Sequence, residues 1–150
     1  MTTTTNTQML VCTHCRQVNR LPTGKALTVS KCGKCGHPLA TSMPVDVDSE
    51  LFNKLRGRDS GPFIVDVWAP WCGPCRMMAP DFEAAANVMR DKVRFFKLNS
   101  DQNQPAAASL GIRGIPTLLA YDKGKLVAQQ AGALRGAALT QWIEAQLKTA

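Results

Sequence analysis

Phe63-Ile64-Val65-Asp66-Val67-Trp68 followed by Trp71-Cys72-Gly73-Pro74-Cys75 is the stretch whose reading decides the fold. The first part is a short apolar run rich in β-branched residues, and from Arg76 to Arg90 the chain turns to helix formers, so the two cysteines stand where a buried strand ends and a helix begins. Unpaired N–H groups at a helix start favour a thiolate over a thiol, which makes Cys72 the more reactive sulfur. Cys75, three residues on, comes round to nearly the same face and can close a disulfide onto it. The pair reads as a reversible dithiol, with a structural disulfide or half of a metal site as the competing readings.

Working outward, a buried strand before the dithiol is followed by strand signals at Val93–Asn99, at the apolar run opened by Pro116, and at Leu126–Gly132 after an Asp122–Lys125 turn. Helical patterns fall at Ser49–Arg56, capped by Asp48 or Ser49, at Pro105–Gly111, and from about Arg135 to Thr149. Gly57–Pro62 reads as a turn, and the helix after the dithiol is expected to bury Met77, Met78, Phe82, Ala85, Ala86 and Met89, with Pro80 inside it. A βαβ unit followed by a hairpin predicts an α/β fold, a mixed central sheet with helices on both faces.

The chain has 150 residues, enough for one full core and a small extra module. That module is predicted at residues 1–40, ahead of a main domain at 41–150. Residues 1–7 are a Thr-rich tail, and residues 39–44 read as a linker. Cys12, Cys15, Cys32 and Cys35 stand in a C-x2-C-x16-C-x2-C array, the spacing of a four-cysteine zinc ribbon. Gly33 and Gly36 are expected at positive φ there, letting backbone N–H groups face the sulfurs. Two disulfides and a second redox pair are the rival readings. So short a segment has little core, so the metal is expected to supply most of its folding free energy. His14 and His37 lie beside the array and read as surface residues or neighbours of the ligands.

The formal charge of +7 invites a nucleic-acid reading, but its distribution weakens it. Residues 1–45 hold five basic and no acidic side chains, an excess that a divalent ion on four thiolates lowers by two. The remainder is nearly balanced, and no aromatic residues interleave the basic ones, so nucleic acid is not expected as a partner. The N-terminal residues show neither the basic start nor the apolar run of an export signal, and no later stretch is long and apolar enough to span a membrane. A soluble cytoplasmic protein is the expectation, and six cysteines in C-x-x-C pairs then favour metal and redox chemistry over structural disulfides.

Asp66-Val67-Trp68-Ala69-Pro70-Trp71-Cys72-Gly73-Pro74-Cys75, Gly114-Ile115-Pro116-Thr117 and Gly132, in this order and spacing, resemble the thioredoxin family over roughly residues 45–150. The four-cysteine segment resembles the zinc-binding extension of the bacterial thioredoxin 2 group. The resemblance implies a thioredoxin fold with a small N-terminal zinc ribbon, and a protein-disulfide reductase in which Cys72 attacks and Cys75 resolves. It also implies that Asp66 is a buried carboxylate exchanging a proton with Cys75, and burial is expected to raise its pKa. A buried Asp that merely accepts from backbone donors is the alternative. Pro116 matches the family's cis-proline, leaving the backbone of Ile115 to pair with an extended substrate. Trp71, Gly73, Pro74 and Gly132 would line the same groove, and Trp68 and Lys97 match positions near the buried acid. Gly73-Pro74 points to a reductant. Protein substrates bearing disulfides, an NADPH-dependent thioredoxin reductase and a monomeric state complete what the resemblance implies. A binding role for the ribbon, or a sensor whose thiolates oxidise and release metal, stays open beside it.

Overall fold

The computed structural model describes residues 7–147. Five strands form the main sheet in the order β3-β5-β4-β6-β7: β3 (Val45–Asp46), β4 (Phe63–Trp68), β5 (Arg94–Asn99), β6 (Thr117–Asp122) and β7 (Lys125–Ala131). β4 is central, parallel to β5 and antiparallel to β6. Its first five residues are all buried, as a strand covered on both faces requires. The alternation along it sorts the two cores. Phe63, Val65 and Val67 meet Leu51, Phe52 and Leu55 of α1 (Ser49–Arg58) and Ala106 of α3 (Gln104–Ser109). Ile64 meets Met78 and Phe82 of α2 (Gly73–Val88) and Leu139 and Ile143 of α4 (Ala137–Leu147) on the other face. The mixed sheet with helices on both faces is therefore the α/β thioredoxin fold expected from the sequence.

Several local expectations need correction. Pro116 does not open β6. It precedes it through a cis Ile115–Pro116 bond, and the ladder starts at Thr117. Helix α1 continues through Gly57 to Arg58, its start capped by Asp48, whose carboxylate accepts from Leu51 N at 2.8 Å. Met77 is 60% exposed rather than packed, because α2 turns that position away from both β4 and α4. The last predicted helical residues, 148 and 149, lie outside the described residues, as does most of the predicted N-terminal tail. Thr7, counted with that tail, begins a strand.

The ribbon is a hairpin, β1 (Thr7–Val11) with β2 (Val18–Pro22), followed by a second turn around Cys32 and closed by a bridge from Lys31 to Pro38. Leu10, Leu21, Leu27, Leu39 and Ala40 make its small core, so the stretch read as linker from residue 39 starts inside the ribbon's packing.

The ribbon is fastened to the main domain. Val11 is buried in the core that contains Phe52 and Phe96, and its N–H donates to Asp59 Oδ2 at 2.8 Å. Arg94 pairs with the same carboxylate and donates through Nη1 to Val11 O at 2.8 Å. Met9 and Ser60 exchange two further bonds, Ser60 N to Met9 O and Met9 N to Ser60 Oγ, both 2.8 Å. Gly61 permits this close approach: a Cβ on it would meet Leu10 Cδ2 at 2.6 Å, and the buried leucine would have to move. Because the Asp59 and Arg94 side chains are 0% and 3% exposed, Asp59→Ala strands a buried cation. It is expected to cost roughly 3 kcal/mol in urea unfolding and to make the β1–β2 hairpin susceptible to limited proteolysis. Asp59→Leu with Arg94→Met, which removes both charges, is expected to recover only part of that loss, because the N–H and C=O of Val11 also lose their partners.

Candidate active site and metal centre

Helix α2 begins on the dithiol. Cys72 is its N-cap residue, with φ −81° and ψ 113°, and its sulfur accepts from Cys75 N at 3.2 Å. Pro74 occupies the first turn, where its missing N–H costs nothing. The two cysteines are joined as a disulfide with Cα atoms 5.2 Å apart, so the protein is described in its oxidised form. Cys72 retains 4% of its surface and Cys75 2%, and only Cys72 lines the adjoining groove.

That groove is formed by Trp71, Cys72, Gly73, Pro74, Ser100, Ala107 and the segment Ile112–Ile115. Cys72 Sγ lies 3.7 Å from Ile115 O. Ile115 precedes the first ladder pair of β6, so the sheet does not use it. The indole of Trp71 is 68% exposed, yet its Nε1 donates to Asp101 Oδ2 at 2.8 Å, which fixes the ring at the groove's edge. Gly132, expected in the groove, instead donates its N–H to Pro116 O at 2.8 Å with φ 92°, bracing the turn behind it. Pro116 is likewise behind the lining rather than part of it.

Asp66 is fully buried on the face of β4 that meets α2, opposite Leu118 on β6 and Lys97 on β5. Neither carboxylate oxygen has a hydrogen-bond partner among the described residues, which disposes of the reading in which this Asp satisfies backbone donors. Burial pushes its pKa up to about 7, with the Lys97 ammonium pulling weakly the other way. Lys97 Nζ sits 4.3 Å from the Trp68 ring centroid, so the residues expected near the acid are there, engaged with each other as a cation–π pair.

The four ribbon cysteines converge. Their sulfurs all lie within 4.8 Å of one another, with Cys12 to Cys35 at 3.6 Å and Cys15 to Cys32 at 3.5 Å. A tetrahedron with metal–sulfur bonds of about 2.3 Å has edges of about 3.8 Å, so the donor set fits a zinc ion with little adjustment. The two turns are built alike. Cys12 O accepts from Arg16 N and Cys32 O from Gly36 N, and the residue at each of these positions is left-handed, at φ 72° and 80°. Gly36 thus behaves as expected. Gly33 does not adopt positive φ, and its N–H donates to Asn19 Oδ1 at 2.9 Å instead. Backbone N–H groups of His14 and Cys15 face Cys12 Sγ, and that of Lys34 faces Cys32 Sγ, at 3.4 to 3.5 Å. Backbone N–H groups, that of Cys35 foremost, draw the Cys32 thiol down to about 6.

Asn19 escaped the sequence reading, though it also donates Nδ2 to Cys32 Sγ at 3.5 Å. Nothing in its local pattern marks it, since the contact arises only when β2 folds under the second turn. Arg94 escaped too, and there a signal existed: a charged residue inside an apolar strand, the same signal that picked out Asp66.

A disulfide capping the helix that follows the central strand, with a groove beside it and a buried acid on the face of that strand toward the helix, defines a thiol-disulfide oxidoreductase. The chain belongs to the thioredoxin family. Residues 43–145 match the family model for thioredoxin, and residues 11–37 match that for the N-terminal segment of thioredoxin 2, a zinc ribbon. It is 36% identical over 140 residues to thioredoxin C-3 of Corynebacterium nephridii, covering 93% of this chain and 96% of that one. It is 47% identical over 90 residues to a thioredoxin of Acidithiobacillus ferridurans, covering 60% of this chain and 83% of the relative. Among solved structures, the Malassezia sympodialis thioredoxin Mala s 13 superposes with a TM-score of 0.65 at 28% identity, covering 77% of this chain and 99% of that one. No helix among the described residues is long and apolar enough to cross a membrane.

Proposed function

We propose that the chain reduces disulfides in protein substrates. The observation that carries this reading is the Cys72–Cys75 pair at the start of α2, with Cys72 alone facing the groove. In the reduced protein the Cys72 thiolate, favoured by the N–H groups of the first helical turn, attacks one sulfur of a substrate disulfide. A mixed disulfide forms and the first substrate thiolate leaves. Cys75 then gives up its proton and attacks Cys72 Sγ, releasing the second substrate thiolate and closing the Cys72–Cys75 bond. Two electrons pass to the substrate, whose thiolates take up the protons. Asp66, poised near neutrality, accepts the proton from Cys75. Ile115 offers backbone to an extended substrate segment, as in strand addition, and Trp71, Gly73 and Pro74 supply apolar contact.

An NADPH-dependent thioredoxin reductase is the partner that returns the dithiol to its reduced form, and the reducing cytoplasm is the compartment in which this cycle runs while the four ribbon cysteines stay out of disulfides. The protein acts as a monomer, with residues 1–40 as ribbon and 41–150 as catalytic domain. Catalytic precipitation of insulin in dithiothreitol tests the activity, and a wild-type rate no faster than dithiothreitol alone would exclude it.

We further infer that Cys12, Cys15, Cys32 and Cys35 hold one structural zinc ion, which when bound neutralises four crowded thiolates and fixes the two turns. Protein purified under reducing conditions is expected to carry one zinc per chain by elemental analysis, and Cys32→Ser to lose it. Metal-free wild-type protein would overturn the assignment.

A further inference from the structure

The segment that meets Cys72 is short and tied down at two points. Gly114 O accepts from the Thr117 hydroxyl at 2.6 Å, and Pro116 O accepts from Gly132 N at 2.8 Å. The Ile115 carbonyl between them is the one beside Cys72 Sγ. No backbone hydrogen bond closes Gly114–Thr117 among the described residues, so the threonine side chain does what a turn's own N–H commonly does. Thr117 is 1% exposed and stands outside the groove lining, whereas Gly114 and Ile115 belong to it.

A trans peptide unit carries its C=O and N–H on opposite sides, and the unit joining Gly114 to Ile115 is trans. Its oxygen is held toward the buried Thr117 hydroxyl, which turns the Ile115 N–H away from that hydroxyl, to the groove side. This N–H has no partner within the protein among the described residues. Gly114 offers no resistance to the opposite orientation: it is exposed, a Cβ built on it meets nothing within 4 Å, and glycine enters either half of φ space. The hydroxyl is what fixes the plane. The peptide beyond Pro116 is held separately by Gly132, so loss of the hydroxyl frees one peptide unit and not the whole loop.

We propose that Thr117 is a positioning residue for substrate, its hydroxyl holding the Gly114–Ile115 peptide so that the Ile115 N–H and C=O are offered together to an extended segment beside Cys72. This rests on the reading that the chain reduces protein disulfides with substrate backbone added at Ile115. An added strand exchanges hydrogen bonds with both groups of one residue. With the peptide turned over, Gly114 O replaces the donor, and the substrate's carbonyl meets another acceptor.

The test compares two reactions of the full-length protein after reduction: reduction of insulin, which uses substrate backbone beside Ile115, and alkylation of Cys72 by iodoacetamide, which does not. Thr117→Val keeps the shape without the hydroxyl, and Thr117→Ala removes the hydroxyl without adding apolar bulk. Both are expected to lower the second-order rate constant with insulin about tenfold, the worth of one backbone hydrogen bond, while changing the alkylation rate less than about twofold. Thr117→Ser, which keeps the hydroxyl, is expected to restore the insulin rate. Val and Ala variants as fast as wild type with insulin, equal losses in the two reactions, or a Thr117→Ser protein as slow as Thr117→Val each overturn the positioning role. Failure of both hydroxyl-free variants to fold overturns it too, by assigning the hydroxyl to folding. A wild-type protein that does not reduce insulin overturns the reductase reading and this one with it, a result none of the other outcomes produces.

Discussion

Cys72→Ser is expected to lower insulin reduction by at least roughly a thousandfold, to the rate of dithiothreitol alone. A serine hydroxyl in the same cap position meets the same N–H groups, but it remains protonated near neutral pH and cannot form the mixed disulfide. Cys75→Ser is expected to lose turnover for a different reason. Its Cys72 still attacks, but nothing expels the substrate, so a covalent adduct accumulates and can be seen by mass spectrometry. The two variants together assign the roles: adducts with Cys72→Ser and none with Cys75→Ser would reverse them. The groove geometry makes this an asymmetric prediction, since Cys72 lines the groove and Cys75 lies behind it.

Asp66→Asn is expected to stabilise the oxidised protein by up to about 4 kcal/mol at pH 8. The sign follows from the direction of the shift. The Asp66 pKa stands at about 7 in the folded protein against 3.8 as the ordinary value, so between these limits the folded state binds the proton more tightly than the unfolded chain does. Folding stability therefore falls as pH rises through that window, and above pH 7 the folded protein carries the full cost of a buried carboxylate with no hydrogen-bond donor. Asparagine has nearly the same shape and no charge, so its advantage is greatest at pH 8 and shrinks towards zero near pH 4. Urea unfolding of both proteins across pH 4.5 to 8 measures the difference, and a difference that does not change with pH would remove the burial argument. The same substitution is expected to slow insulin reduction about tenfold, because Cys75 loses its proton acceptor.

How far the sequence disclosed these features depended on the range of the interaction. Strand β4, the dithiol turn and α2 were legible because apolar periodicity, capping and proline placement act within a few residues. Asp66 was legible because a charge inside an apolar run is costly wherever it falls. The convergence of the four ribbon cysteines was legible from spacing alone. Arg94 carried the same signal as Asp66 within Val93–Leu98 but had no recognisable chemistry to draw the eye, and its partners Asp59 and Val11 are 35 and 83 residues away. The β1–β2 hairpin and the two-residue β3 were hidden because neither has a long alternating pattern, and both exist through packing against β5 and α1. Met77 was misjudged because helical spacing defines a stripe but not its width, and the stripe on α2 stops at Met78. The stacking of the His14 and His37 rings could not be read at all, since it depends on how the two cysteine turns are mutually oriented.

The shortness of β3 bears on how the molecule behaves among its own copies. With only Val45 and Asp46 paired, β3 leaves Arg94 and Phe95 of β5 without a strand neighbour on that side. Unpaired strand edges are templates on which other chains can add. Here the ribbon faces the opening: Thr13, Pro38, Leu39, Ala40 and Thr41 line a small cavity together with Arg94, Phe95 and Phe96, and Arg94 turns its guanidinium to Val11 and Asp59. The ribbon is thus a covalently attached cover beside an incomplete sheet, and the zinc proposed for it would, by holding that cover in shape, guard a region of the catalytic domain that takes no part in the chemistry.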